Sequence, residues 1–269
     1  MQYPFWLVSD VKTSLRTSLS AERIDHYMPA ANQDPDLAFL LMLWDAKLAE
    51  SLYHPLQTAE VTLRNALATI LIEEFQIDWW SHKGFTSPLS NEELGDLEKA
   101  LKRATKTHGT RMTGGHLITR LPLGFWQHLL THKRARQVFL KNPLAARFPA
   151  VARDVVNEAF AAKRIASRSP ISHSRPYLFR PYSARSHVPA RELIDMNEIV
   201  REKMWETVDK IRTTRNRIAH QQPLFDKGPH LSYQMALKLT GWISTDAAWL
   251  AASFNTFEEM LQCRPKLIW

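Results

Sequence analysis

The side chains best suited to chemistry lie together in residues 215–220, Arg-Asn-Arg-Ile-Ala-His. An imidazole can accept or return a proton near neutral pH, and a guanidinium can donate two hydrogen bonds to a phosphate. The Arg-x4-His spacing alone is weak, because the chain repeats it at Arg103/His108, Arg111/His116 and Arg168/His173. Only the pair Arg215/His220 ends a long amphipathic helical pattern and has an amide, Asn216, beside the arginine. A plainer interpretation stays open, because basic residues in a last helical turn also favour the helix dipole.

Helix geometry limits how these side chains can meet. Asn216 and His220 are four residues apart and share a helix face, whereas Arg215 and His220 are about 140° out of register. Arg215 and His220 can converge if the helix ends near Ala219. They can also converge if two chains each supply a pair across a two-fold axis.

A second region, residues 159–191, differs from the rest of the chain in charge and composition. It has no acidic residue, seven basic residues, four prolines and four aromatic residues, and without its seven charges the net charge of +8 falls to +1. The prolines argue against a helix and predict an inserted loop or arm. Arginines suit phosphates and aromatic rings stack on bases, so the expected nucleic-acid contacts are Arg168, Arg175, Tyr177, Arg180 and Arg185, together with Arg217 of the first segment. A solvated basic loop held by acidic residues elsewhere is the alternative.

The composition excludes several classes of protein. One cysteine in 269 residues excludes disulfide frameworks and cysteine-rich zinc sites. His128 and His132 have the spacing of a zinc pair, but Lys133 and Arg134 would repel a cation, so we expect no metal and no cofactor. The most apolar stretch, 37–53, contains three charged residues, and the N-terminus lacks a basic segment and a long apolar run. We therefore expect a cytoplasmic protein without a membrane partner.

The elements that must position these side chains have helical periodicity, and strand signals are few. The pattern predicts one all-α domain over 1–269, with antiparallel neighbouring helices. Asp34 is predicted to be the N-cap of a helix, and Ser90 begins the segment that is predicted to start another. The predicted helices span 35–53, 55–75, 90–107, 123–138, 151–165, 196–219 and 231–254.

Four blocks of this sequence resemble the Abi-like (abortive infection) proteins, a branch of the HEPN superfamily of all-α RNases and RNA-binding domains. The blocks are residues 40–45 with 56–66, 121–126, 212–220 and 240–243. The resemblance covers roughly 20–255 apart from the basic segment. It implies a HEPN-type antiparallel helical bundle with additional N-terminal helices and a basic Pro/Arg-rich insertion.

The resemblance also implies a function. The implied protein is a metal-independent endoribonuclease toxin of phage defence. It acts as a homodimer in which the Arg-x4-His motifs of both chains line one cleft. An antitoxin, either a small RNA or a protein, restrains its activity. Arg215 and His220 would be the catalytic pair, with Asn216 as their polar neighbour. Glu60, Arg64 and Asn65 would support the cleft, although an intrahelical Glu60–Arg64 ion pair is a plainer interpretation.

The sequence departs from the family at one place. A second histidine and a glutamate commonly follow the motif, and here these positions are Gln221 and Gln222. A non-catalytic module that binds RNA or a protein therefore remains the alternative function.

Overall fold

The structure, a computed structural model, describes residues 9–131, 133–134, 138–139, 143–166 and 190–266. These residues form helices and connecting turns with no strand among them, so the all-α class is confirmed. Several helices are only one turn long. The α-helices are α1 (Ser9–Ser18), α2 (Ala21–Asp25), α3 (Pro35–Phe75), α4 (Lys83–Thr86), α5 (Asn91–His108), α6 (Gly114–Ile118), α7 (Leu123–His128), α8 (Leu144–Arg147), α9 (Pro149–Ala166), α10 (Ala190–Ala219), α11 (Pro229–Ile243), α12 (Thr245–Ser253) and α13 (Phe257–Gln262).

The chain divides into two compact units. The motif unit contains Met1–Glu60, Lys210–Gly241 and Asp246–Trp269, and the second unit contains Val61–Asp209 and Trp242–Thr245. Helices α3 and α10 each contribute residues to both units. None of the described helices is long and apolar enough to span a bilayer.

The core of the motif unit forms along the first half of α3. Its buried side chains recur every three or four residues, at Leu41, Trp44, Leu48 and Leu52, which is the spacing of one helix face. The Trp44 indole donates a hydrogen bond to the carbonyl of Met260 at 2.7 Å. This bond ties α3 to α13, an element that the sequence pattern did not predict.

The predicted boundary at Pro55 is wrong, because α3 continues through this residue instead of ending before it. Proline has no N–H, so the carbonyl of Ser51, four residues earlier, loses its helical partner. The side chain of Asn255 donates a hydrogen bond to that carbonyl. A contact more than 200 residues away in the sequence thus helps the helix tolerate its proline.

The second unit has an aromatic core. The buried residues Trp79, Phe85, Phe125 and Trp126 pack together, with ring centroids of Trp79 and Phe85 5.1 Å apart. Helix α7 begins directly after Pro122, at the start of the helix predicted over 123–138, and Phe125 and Trp126 on it are buried.

The helix starts are predicted better than the ends. Ser90 caps α5 with a capping box, and Asp34 accepts hydrogen bonds from the first amides of α3. Helix α7 ends at His128 rather than Val138, and the last predicted helix is two helices separated at Ser244. Helix α9 includes residues 159–166, so the start of the basic segment is helical.

Candidate functional site

The backbone turns sharply at the end of the Arg-x4-His segment. Helix α10 ends at Ala219, where the sequence analysis expected it to end, and His220 is the next residue. The amide of Gln222 donates to the carbonyl of Arg217 at 2.8 Å, and the amide of Gln221 donates to Ile218 at 3.0 Å. This pair of bonds is a Schellman motif, in which the residue after the cap adopts a left-handed conformation. Gln221 has a φ of 54°, in a position where glycine is usual.

A small pocket of about 240 Å³ lies beside this turn, and we call it the motif pocket. Its lining contains three basic side chains and three neutral polar ones, namely Arg212, Arg217 and His220 with Thr213, Asn216 and Gln222. Arg212, Asn216 and His220 follow each other at four-residue intervals, so one face of α10 and the residue that follows the helix supply three of the six lining residues. Two guanidiniums and an imidazole around one small space suit an anionic oxygen group such as a phosphate.

The structure brings Asn216 and His220 into the motif pocket but not Arg215. Nε of Arg215 lies 3.5 Å from Oε2 of Glu60, with 46% of the Arg215 side chain exposed. The end of the helix at Ala219 therefore does not bring Arg215 and His220 into one pocket of a single chain. The first of the two ways for this pair to converge is thus not realised.

Glu60, Arg64 and Asn65 have different environments. Glu60 is paired with Arg215 rather than with Arg64, so the interpretation of an intrahelical ion pair was wrong. Arg64 and Asn65 belong to the second unit, where Asn65 is exposed. Nε of Arg64 is buried and has no hydrogen-bond partner within the described parts of the chain.

The other predicted contacts fall into two groups. Arg217 lines the motif pocket, and its Nη1 donates a long hydrogen bond of 3.4 Å to the carbonyl of Pro223. Five predicted RNA contacts lie outside the described residues, namely Arg168, Arg175, Tyr177, Arg180 and Arg185. His132 of the weak zinc pair lies outside them as well. Where the chain is described, no group of three or more His, Cys, Asp or Glu side chains could hold a metal ion.

A buried acid holds the loop that follows the motif, and the sequence analysis missed it. Asp45, on α3, is only 4% exposed. Its carboxylate accepts a hydrogen bond from the Tyr27 hydroxyl at 2.8 Å and from the Leu224 amide at 3.0 Å. We call these three residues the Asp45 network. The loop from His220 to Leu224 is thereby fixed at both ends, by α10 and by the carboxylate.

Burial shifts the acidity of both titratable groups in this network. Burial raises the pKa of Asp45, and the hydrogen bonds from Leu224 and Tyr27 oppose that rise without cancelling it. Burial and the neighbouring Asp45 carboxylate raise the pKa of Tyr27 well above its ordinary value. The sequence contains one signal for this network, because Asp45 is an acidic residue within the apolar helical stretch 37–53.

Gln221 has a second contact besides the turn. Its Oε1 accepts a hydrogen bond from Nη1 of Arg23 at 3.1 Å. An arginine of α2 thus holds the side chain of Gln221, the residue in the left-handed conformation.

Comparisons with protein-family models, with curated proteins and with solved structures find no match to this chain.

Proposed function

We propose that this protein is a HEPN-type endoribonuclease toxin that cleaves RNA without a metal, as part of an abortive-infection or toxin–antitoxin system. The observation that best supports this function is the motif pocket, where His220 and Asn216 line the same space as two guanidiniums. The four-block resemblance to the Abi-like proteins supplies the reaction class.

The proposed reaction needs only groups that this chain and RNA provide. The 2′-oxygen of the substrate attacks the adjacent phosphorus, a new O2′–P bond forms, and the bond to the 5′-oxygen breaks. A base takes the 2′-hydroxyl proton, and an acid protonates the leaving 5′-oxygen. His220 can serve either proton transfer, while Arg212 and Arg217 stabilise the charge on the phosphate oxygens. The products are a 2′,3′-cyclic phosphate and a 5′-hydroxyl.

The position of Arg215 favours a dimer in this proposal. Arg215 lies outside the motif pocket of its own chain, yet nearly half of its side chain is exposed beside Glu60. In a homodimer with a shared cleft, Arg215 of each chain would reach a phosphate held by either motif pocket. Glu60 would then orient Arg215 until substrate binds.

The alternative is a non-catalytic module that holds RNA or a protein partner. Gln221 and Gln222 favour it, because they replace a second histidine and a glutamate that commonly follow the motif in the family. Under this alternative, replacing His220 changes nothing, while neutralising Arg175, Arg180 and Arg185 abolishes RNA binding. If the protein is the nuclease, the basic segment makes a structured RNA the more attractive antitoxin.

The nature of the product ends tests the reaction class. Single-stranded RNA is incubated with the full chain in EDTA, and the new termini are identified by mass spectrometry. We expect 2′,3′-cyclic phosphates and 5′-hydroxyls in the presence of the chelator. Cleavage that EDTA abolishes, or 3′-hydroxyl ends, would contradict the mechanism. RNA that is bound but left intact, after a copurified inhibitor has been excluded, would favour the binding module.

A further inference from the structure

A second cavity of about 380 Å³ shares Gln222 with the motif pocket, and we call it the α3 pocket. Its volume is within the range of small-molecule sites. Its apolar lining is formed by Met42, Ala46 and Ala49 of α3 and by Ile218 of α10. The remaining lining is mostly polar or aromatic and includes Arg23, Glu50, Tyr53 and Gln221.

We propose that the α3 pocket binds the base of the nucleotide whose phosphate occupies the motif pocket, with a preference for guanine. This inference rests on the proposed function, because that function puts an RNA phosphate in the motif pocket. A base and its phosphate are joined through one sugar, so the two sites must be neighbours. The shared residue Gln222 meets that condition.

The shape of the α3 pocket suits a flat aromatic ring. Ala46 and Ala49 are one helical turn apart and have small side chains, so a planar group can lie close to α3. Tyr53 follows one turn later, and its side chain is 56% exposed. An exposed tyrosine at the edge of a pocket provides a face on which any base can stack.

The polar groups of the pocket favour guanine over other bases. Arg23 is the residue type that most often contacts O6 and N7 of guanine, and it has donors beyond the one used for Gln221. The carboxylate of Glu50 accepts a hydrogen bond from Lys47 through Oε2 at 2.7 Å. Its remaining acceptor capacity matches the N1–H and N2–H donors of guanine. The Gln221 contact holds Arg23 at the pocket, because the Schellman turn fixes Gln221.

Mononucleotide binding tests this proposal without requiring cleavage. The full chain is titrated by calorimetry with 3′-GMP, 3′-AMP, 3′-CMP, 3′-UMP and inorganic phosphate. Stacking and edge contacts should make 3′-GMP bind about ten-fold or more tightly than phosphate. We also expect 3′-GMP to bind more tightly than the three other nucleotides. Nucleotides that bind no more tightly than phosphate would overturn the base site, and a different preferred base would overturn the assignment of guanine.

Matched variants locate the binding. We expect Tyr53→Ala to weaken 3′-GMP binding about ten-fold and to leave phosphate binding unchanged. Phe254→Ala, which removes a 72% exposed aromatic ring outside the pocket, should change neither. Arg23→Lys keeps the charge but loses the planar fork, so it should remove the preference for guanine. Equal effects of Tyr53→Ala and Phe254→Ala would overturn the proposal.

Failure of this inference is distinguishable from failure of the proposed function. If 3′-GMP binds as expected but RNA stays intact, the base site stands and the nuclease does not. If RNA is cleaved but no nucleotide binds more tightly than phosphate, the nuclease stands and the base site does not. Because Tyr53 is exposed and Arg23 half-buried, thermal melts should confirm that both variants fold.

Discussion

Among single residues, His220 combines a fixed backbone with an exposed ring. Its amide donates to the Asn216 carbonyl at 2.9 Å, and its side chain lines the motif pocket without being buried. The backbone bond does not depend on the side chain. Shortening the side chain to the methyl group of alanine should therefore affect RNA cleavage far more than stability. A change at His220 thus tests the proposed function without unfolding the chain.

The Asp45 network predicts an unusual dependence of stability on pH. Because burial raises the native pKa of Asp45 above its unfolded value, the native state binds more protons between those two values. The contribution of Asp45 to the free energy of unfolding therefore falls as pH rises through that window. Relative to Asp45→Asn, the wild-type chain should gain stability as pH decreases from 7 through the native pKa of Asp45. Denaturant midpoints of both chains over this range measure the difference.

Tyr27→Phe is the matched control for that experiment, because it removes one donor to Asp45 and keeps the carboxyl group. It should destabilise the chain by about 1–3 kcal/mol at neutral pH. If the free energy of unfolding of the wild type relative to Asp45→Asn falls as pH decreases, the ionised carboxylate stabilises the fold and the prediction is wrong.

At the scale of elements, the end of α10 contains a measurable strain. Gln221 has the left-handed conformation that glycine adopts without a steric penalty. Gln221→Gly should therefore stabilise the chain by about 1 kcal/mol, less the small contribution of the exposed contact with Arg23. Chemical unfolding measures the change. Gln222→Gly is the control, because Gln222 does not have the left-handed conformation and this change should not stabilise the chain. Equal effects of the two changes on the free energy of unfolding would contradict the strain at Gln221.

Local signals predicted the long helices, whereas most of the short helices and several boundaries were missed. Capping residues such as Asp34 and Ser90 act within one turn of their own position, so the sequence alone identifies those helix starts. The continuation of α3 through Pro55 is helped by the contact of Asn255 with the Ser51 carbonyl, which no local pattern indicates. The break at Ser244 has no adjacent proline or glycine, since the nearby Gly241 lies within α11.

The candidate site was predictable only in part, for the same reason. Helix periodicity gave the shared face of Asn216 and His220, which the motif pocket confirms. It could not give the partner of Glu60 or the acid that holds the Leu224 loop, because those contacts join residues more than 150 positions apart.

At the scale of the whole molecule, charge is concentrated in residues 159–191, whose seven basic residues nearly equal the net charge of +8. RNA binding should therefore weaken steeply with salt. Changing Arg175, Arg180 and Arg185 to Gln should flatten the slope of log Kobs against log salt by about 2, at about 0.7 per phosphate contact for single strands. Fluorescence anisotropy at several salt concentrations measures the slope.

The control for that measurement changes three exposed basic residues of α5, Lys99, Lys102 and Arg103, to Gln. It alters the net charge by the same amount but should leave most of the slope intact. Equal flattening by both triple variants would indicate a general charge effect and no dedicated role for the basic segment.

The most direct test of the central claim is single-turnover RNA cleavage by the full chain with and without the His220 imidazole. His220→Ala should lower the rate about 10²–10⁴-fold, the usual effect of losing a general acid or base, while RNA affinity changes little. His230→Ala, which removes an exposed histidine outside both pockets, should cleave like the wild type. Cleavage by His220→Ala at the wild-type rate would contradict the assignment of His220 as the proton-transfer residue.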